Sequence, residues 1–129
     1  MEKISHSEAI SIVEKWLNKK GWELYLRERR FGDSMYKVDL ILKQDGDYLI
    51  CEVKCTDSDF GKALAQVNNN YNAIRKTKVL SYVKKRIAIT RDLYEVWKRN
   101  AKVDNMKSEY RDNYDIILLL IDRDGVSEI

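Results

Sequence analysis

The sequence predicts one α/β domain with a mixed central sheet flanked by helices. Three observations carry that prediction. Apolar spacing switches between a period of two and a period of three to four along the chain. Short turn motifs separate the alternating segments. The 129 residues, 44% of them hydrophobic, suffice for one core and are too few for two ordinary ones. The elements read α-β-β-β-α-β-α-β: an αβββαβ core with an extra C-terminal helix and strand. No linker, repeat or low-complexity tract divides residues 1–129.

Ser5 to Lys20 reads as a helix, because Ile10, Val13 and Leu17, with Ile12 and Trp16, recur at three- and four-residue spacing. Ser5 with Glu8 matches the S-x-x-E capping box that satisfies free N–H groups at a helix start, and Gly21 closes the end. Trp22 to Arg29 alternates, with Trp22, Leu24 and Leu26 expected on one face. After the turn "FGDS", "YKVDLILKQ" and "YLICEVKCT" form two strands joined by the hairpin turn Asp45–Asp47. Phe60, Leu64, Val67, Tyr71 and Ile74 then mark an amphipathic helix to about Lys78. "RIAIT" is a short buried strand, and Arg91 to Lys102 a helix facing inward through Leu93, Val96 and Trp97. "YDIILLLID", apolar on both sides, reads as a central strand, followed by the turn Asp122–Gly125.

The apolar run Ile116–Ile121 is far too short to cross a membrane, and Glu2 and Glu8 interrupt any signal-like stretch at Met1–Ser11. Cys51 and Cys55 lie on one strand face roughly 13 Å apart, at about 3.3 Å per residue, too far for a disulfide. Reduced core cysteines and a cytoplasmic location are expected; two cysteines and His6 do not make a zinc site. The net charge of +3 says little, but its distribution says more. Ten Lys and Arg stand between Arg75 and Lys102 against Asp92 and Glu95, whereas seven acids stand between Asp33 and Asp59 against Lys37, Lys43 and Lys54. An acidic centre beside a basic flank suits a metal site next to a polyanion; Lys84, Lys85 and Arg86 are candidate phosphate contacts. A solvated lysine-rich surface gives the same pattern.

The stretch "YLICEVKC" carries the chemistry. Alternation puts Leu49, Cys51, Val53 and Cys55 on one face and Tyr48, Ile50, Glu52 and Lys54 on the other. Buried charges need partners, so Glu52 and Lys54 are either a satisfied ion pair or the lining of a binding cleft. Asp39, one hairpin earlier, is expected to point away from its neighbours Val38 and Leu40 and to share a sheet end with Glu52. Two carboxylates there offer hard oxygens to a divalent cation, and an adjacent lysine can hold or deprotonate a water and offset charge on a phosphate.

Over about Ser5 to Thr90, "VDLIL", the hairpin and "CEVKC" resemble the PD-(D/E)xK nuclease superfamily, the restriction-endonuclease-like fold. The compact arrangement is similar to archaeal Holliday junction resolvases and small virus-borne nucleases. The resemblance implies a Mg²⁺-dependent (or Mn²⁺-dependent) DNA nuclease. It puts the signature acids at Asp39 and Glu52, the lysine at Lys54 and a metal-binding carbonyl at Val53. The glutamate that the family often adds from its first helix falls on Glu8, with Glu14 the second match. Val38 stands where the eponymous proline would be. "QVNNNY" is similar to the Q-x-x-x-Y signature of RecB-like and Cas4-like nucleases, but Tyr71 comes five residues after Gln66 and belongs to the apolar stripe. Gln66 flanks that stripe and is either a residue facing the site or an ordinary surface glutamine. His6 reads as a surface residue near a helix start, with an active-site neighbour as the lesser alternative, and the tryptophans as core. Cutting both strands with one site per chain implies a two-fold dimer, for which Ile116–Ile121 is either an interface or plain core. The competing readings are a non-catalytic nucleic-acid-binding module, and a regulatory protein with a buried Glu52–Lys54 pair.

Overall fold

The computed structural model describes residues 3–55, 60–78, 81–99 and 103–129. Helix α1 (His6–Lys19) leads into a meander of β1 (Glu23–Arg30), β2 (Lys37–Gln44) and β3 (Asp47–Lys54). Then come α2 (Phe60–Thr77), β4 (Val83–Thr90), α3 (Arg91–Arg99), α4 (Val103–Tyr114), β5 (Ile116–Asp122) and β6 (Gly125–Glu128). All six strands join one sheet in chain order. The β1–β2 and β2–β3 pairs are antiparallel, β3–β4 and β4–β5 parallel, and β5–β6 antiparallel. Parallel neighbours need a crossover, which α2 supplies between β3 and β4 and α3 with α4 between β4 and β5.

Alternation then decides which helix each strand face meets. Ala9, Ile10, Val13 and Leu17 of α1 pack with Leu49, Cys51 and Val53 on one face. On the other, Ile74 of α2 packs with Tyr48 and Ile50, while Leu93, Trp97 and Tyr110 pack with Ile87, Ile89 and Leu118. The β2–β3 turn is the two-residue Asp45–Gly46, with φ of 51° and 89°, the left-handed pair that suits the twist of a tight hairpin. Cys51 and Cys55 are both free, and burial pushes the Cys51 thiol well up.

Several expectations change. Strand β4 begins at Val83, three residues before "RIAIT". Helix α4 and strand β6 were not expected: α4 is mostly polar, with Tyr110 its buried anchor among the described residues, and β6 is four short residues folded back by the Asp122–Gly125 turn. The expected helix end at Lys102 and the acids Asp57 and Asp59 lie outside the described residues, as does the side chain of Phe60. Strand β5 is next to last, not central; it is apolar on both sides because helices cover both sheet faces. Ile116 and Leu118–Ile121 are buried within the chain itself, so this strand is core and not an interface. Trp22, Leu24 and Leu26 do not share a face, because the β1–β2 register slips by one residue between Leu24 and Leu26. The bulge sends Trp22 toward α1, Leu26 toward α2, and leaves Leu24 exposed.

Gly21 ends α1 in a Schellman turn: its N–H donates to the Asn18 carbonyl at 3.0 Å, and that of Trp22 to the Leu17 carbonyl at 3.1 Å. Its φ is +91°, and an added Cβ would stand 2.6 Å from Gln44 Nε2. Gly21→Ala is therefore expected to destabilise the fold by about 1–2 kcal/mol, read as a lowered midpoint in urea with an unchanged slope.

Candidate active site

The site lies at the C-terminal end of β3, where β2 leaves the ladder. The β2–β3 pairing runs from Gln44–Asp47 to Leu40–Cys51. Beyond it the Val53 N–H donates to Asp39 Oδ2 at 2.7 Å. Asp39 thus takes over a backbone donor that the strand would otherwise pair. Opposite it on β1, between the Arg27–Leu40 and Arg29–Val38 pairs, Glu28 has φ of 52°, and the strand kinks. Val38 and Leu40, expected on one face, are consequently split: Val38 packs with Ile50 and Ile74 on the α2 side, Leu40 with the α1 cluster. The irregularity places Asp39 at the seam between the two faces, within reach of both Glu52 and α1.

Glu52 and Lys54 point to the α2 face, as alternation requires. Glu52 is only 1% exposed. Burial drives its carboxyl well above the usual carboxylate range; the Asp39 carboxylate raises it further, and Lys54 and Asn70 pull the other way. Asn70 Nδ2 donates to Glu52 Oε1 at 3.2 Å. Ser34, in the β1–β2 loop, sets its hydroxyl against Asn70 Oδ1 and against Asn69 Oδ1 at 2.8 Å. Lys54 Nζ donates to Gln66 Oε1 at 2.6 Å, so one helix positions both Glu52 and Lys54.

The structure brings Asp39, Glu52, Val53, Lys54 and Gln66 together. Glu8 it places elsewhere: the Glu8 N–H donates to the N-cap Ser5 Oγ at 3.1 Å, and its carboxylate lies 3.7 Å from Arg123 Nη1. Glu14 pairs with Arg27 Nη1 at 3.0 Å. From α1 it is His6 that reaches the site, its Nε2 3.1 Å from the Val53 carbonyl and 3.5 Å from Asp39 Oδ1. Asn70 is a residue that sequence reading missed. Its signal is its place on the buried face of α2, four residues after Gln66 and three after Val67. Tyr71 is half-buried against the core on the α2 side, under Lys85 Nζ at 4.5 Å from its ring.

Lys84, Lys85 and Arg86 do not extend this site. Lys84 is paired with Leu49, so it lies about 16 Å along the strands from Lys54, at about 3.3 Å per residue. Lys84 Nζ sits over the Trp22 ring at 5.6 Å, and burial lowers both the Lys85 and Arg86 pKa values. The basic residues beside Asp39 are instead Arg29, Arg30 and Lys37, exposed at the end of the β1–β2 ribbon. A cleft of about 610 Å³ opens at the ends of β4 and β5, lined by Thr90, Arg91, Asp122 and Arg123, and does not include the carboxylates.

Two carboxylates, one of them deeply buried, face each other with one ammonium nearby, and a backbone carbonyl lies alongside. Such hard oxygens fit Mg²⁺ or Mn²⁺. Among the described residues, no three His, Cys, Asp or Glu side chains are placed as a ready metal group, so the fit rests on Asp39, Glu52 and the Val53 carbonyl.

Sheet order, crossovers and the carboxylate-bearing hairpin together define a mixed α/β, restriction-endonuclease-like fold. The chain belongs to the uncharacterised protein family UPF0102, whose model matches residues 11–119. Two solved structures share the fold. An XisH family protein from Nostoc punctiforme has a TM-score of 0.64 at 18% identity, over 94% of this chain and 98% of that one. An fdxN element excision controlling factor protein from Anabaena variabilis has a TM-score of 0.62 at 19% identity, over 96% and 97%. No curated protein is significantly similar in sequence. No described helix is long and apolar enough to cross a membrane.

Proposed function

We propose that this protein is a divalent-metal-dependent nuclease that hydrolyses phosphodiester bonds in DNA. The observation that carries the reading is the buried Glu52 carboxyl, held by Asn70 against Asp39, with Lys54 beside it on the same strand. An unneutralised carboxylate pair is costly to bury and has a use when a cation joins it. Asp39, Glu52 and the Val53 carbonyl would hold Mg²⁺ or Mn²⁺. When bound, the ion supplies Lewis-acid stabilisation of negative charge on the phosphate. Lys54, steered by Gln66, orients the attacking water and offsets charge on the phosphoryl oxygens. Attack of water on phosphorus breaks one P–O ester bond and leaves a phosphomonoester and a hydroxyl.

Cleavage of labelled single-stranded, duplex and four-way-junction DNA with Mg²⁺, Mn²⁺ or EDTA, beside Asp39→Ala, tests this. Metal-dependent cleavage lost in the variant supports it, and the preferred substrate decides whether the enzyme is structure-specific in replication, recombination or repair. Paired cuts in both strands would support a homodimer. The non-catalytic nucleic-acid-binding reading draws on the lack of a preassembled side-chain metal group among the described residues. It expects salt-sensitive binding with no cleavage in any condition.

We place the phosphate backbone along Arg29, Arg30 and Lys37, which flank Asp39, and not along Lys84–Arg86. Each phosphate contact adds about 0.9 to the slope of log affinity against log salt on duplex DNA. Arg29→Gln with Arg30→Gln is expected to lower that slope by about 1–2 and weaken binding alike across sequences, whereas Lys84→Gln leaves it unchanged. Fluorescence anisotropy across a salt series reads both.

A further inference from the structure

The cleft of about 610 Å³ at the ends of β4 and β5 holds a polar atom with nothing to bond. Thr90, the last residue of β4, is 3% exposed, and its Oγ1 has no hydrogen-bond partner among the described residues. It stands just before α3, at the N-cap position, yet its hydroxyl does not cap that helix. A buried hydroxyl left unpaired is costly, and one that lines a cleft fits a ligand that bonds it. Thr90 pairs with Ile121 on the α1 side of the sheet, where Ile4 and Val126 complete an apolar wall. The charges around it disfavour a phosphate. Asp92, Asp122 and Asp124 stand against Arg91 and Arg123; Asp122 holds Arg91 at 2.8 Å, and Arg123 lies 3.7 Å from Glu8. The active site is close by, because Ile89, the residue before Thr90, pairs with Lys54. One strand and one residue therefore separate Thr90 from Lys54, roughly 6 Å at about 4.8 Å between strands and about 3.3 Å per residue.

We propose that this cleft takes an unpaired nucleobase of the substrate strand, next to the scissile phosphate, and favours a base with an exocyclic amine. The inference rests on the nuclease reading and names its substrate as DNA with unpaired bases at the cut. Ile4, Ile121 and Val126 pack against the flat face of the base, as apolar walls do for a base drawn out of its stack. The Thr90 hydroxyl, able to donate or accept, bonds the edge of the base. Asp92 and Asp124, both exposed at the rim, can only accept when ionised. They therefore favour cytosine, whose N4 amine donates, over thymine, whose O4 accepts in its place. The volume falls within the range of about 300–1,000 Å³ usual for small-ligand pockets and leaves room for the attached sugar.

The test uses the full chain in EDTA, where no cleavage intervenes, with ¹³C-labelled threonine and isoleucine methyl groups. Short single-stranded oligo(dC) and oligo(dT) are titrated and followed by NMR and by fluorescence anisotropy. The expected result is a shift of the Thr90 and Ile4 methyls and binding of oligo(dC) about 5-fold tighter than oligo(dT). Thr90→Val keeps the shape and removes the hydroxyl. It should weaken oligo(dC) binding by about 3–10-fold without lowering the melting temperature, whereas a merely solvated hydroxyl would leave the affinity unmoved. Asp92→Asn with Asp124→Asn should bring the affinity ratio of the two oligonucleotides to about 1. Unmoved Thr90 and Ile4 methyls, or equal affinities in the parent, would overturn the base pocket. Metal-dependent cleavage lost in Asp39→Ala would then still carry the nuclease reading. No binding of either oligonucleotide, together with no cleavage of any DNA, would remove both.

Discussion

Lys54→Met is expected to lower the rate of DNA cleavage by about 10²–10⁴-fold while leaving the protein folded and able to bind DNA. The methionine keeps the length and apolar stem of the lysine and removes only the ammonium. That group lies 2.6 Å from Gln66 Oε1, half-buried, where a charge is worth more than at an open surface. Its loss acts on the charge that develops during phosphoryl transfer, so the turnover number should fall with little change in KM. Gln66→Ala keeps the ammonium but frees it to swing, so a smaller loss, on the order of 10-fold, is expected. Circular dichroism and thermal melting check the fold, and single-turnover cleavage with excess enzyme reads the chemical step. A Lys54→Met protein that cuts at the parent rate would reduce Lys54 to a counter-ion for Glu52. The catalytic role assigned to this strand would then be lost.

Regular repetition made much of this structure legible from the residues. Strand β3 alternates without interruption, so the apolar face of Leu49, Cys51 and Val53 and the opposite face of Glu52 and Lys54 follow from a period of two. The Asp45–Gly46 hairpin fixes β2 beside β3, and the helical spacing of Val67 and Ile74 brings α2 over that face. What could not be read depends on departures from regularity. The bulge after Leu24 and the left-handed Glu28 break the alternation of the β1–β2 ribbon, and such kinks have no composition signature when the residues are not glycine. They are what separates Val38 from Leu40 and turns Asp39 toward both Glu52 and His6. Asn70 was missed because a polar residue on a buried helix face counts against burial in any apolar pattern, although here it is the partner that a buried acid demands. His6 reads first as a surface residue because a helix-start position says nothing of which strand end the helix overhangs. Glu8 shows the converse: its spacing from Ser5 matched a capping box, and its backbone N–H does bond the Ser5 hydroxyl, while its carboxylate turns outward to Arg123.

Glu52→Gln should have two opposite effects, and their combination identifies a site built for a cation. Catalysis should be lost, by about 10³-fold or more, because a neutral amide is a poor ligand for Mg²⁺ or Mn²⁺. Without divalent metal, the variant should be more stable than the parent at neutral pH, by about 1–3 kcal/mol. The new side chain satisfies both neighbours: its Oε1 accepts from Asn70 Nδ2, and its Nε2 donates to the Asp39 carboxylate. The parent glutamate can do the same only while it holds a proton. Its folded pKa lies above the unfolded value of about 4.3, first through burial and then through Asp39. The stability that goes with the protonated form is therefore complete below the unfolded pKa and declines as pH rises toward the folded one. Urea melts of the metal-free parent between pH 4 and 8 should show that decline, and Glu52→Gln should lack this part of it. Added Mn²⁺ should restore the parent, by RT ln(1 + [Mn²⁺]/Kd), and leave Glu52→Gln unmoved. If Glu52→Gln is instead less stable than the metal-free parent at pH 8, the glutamate is held by its partners as a structural ion. The stability given up at neutral pH would then have no catalytic explanation.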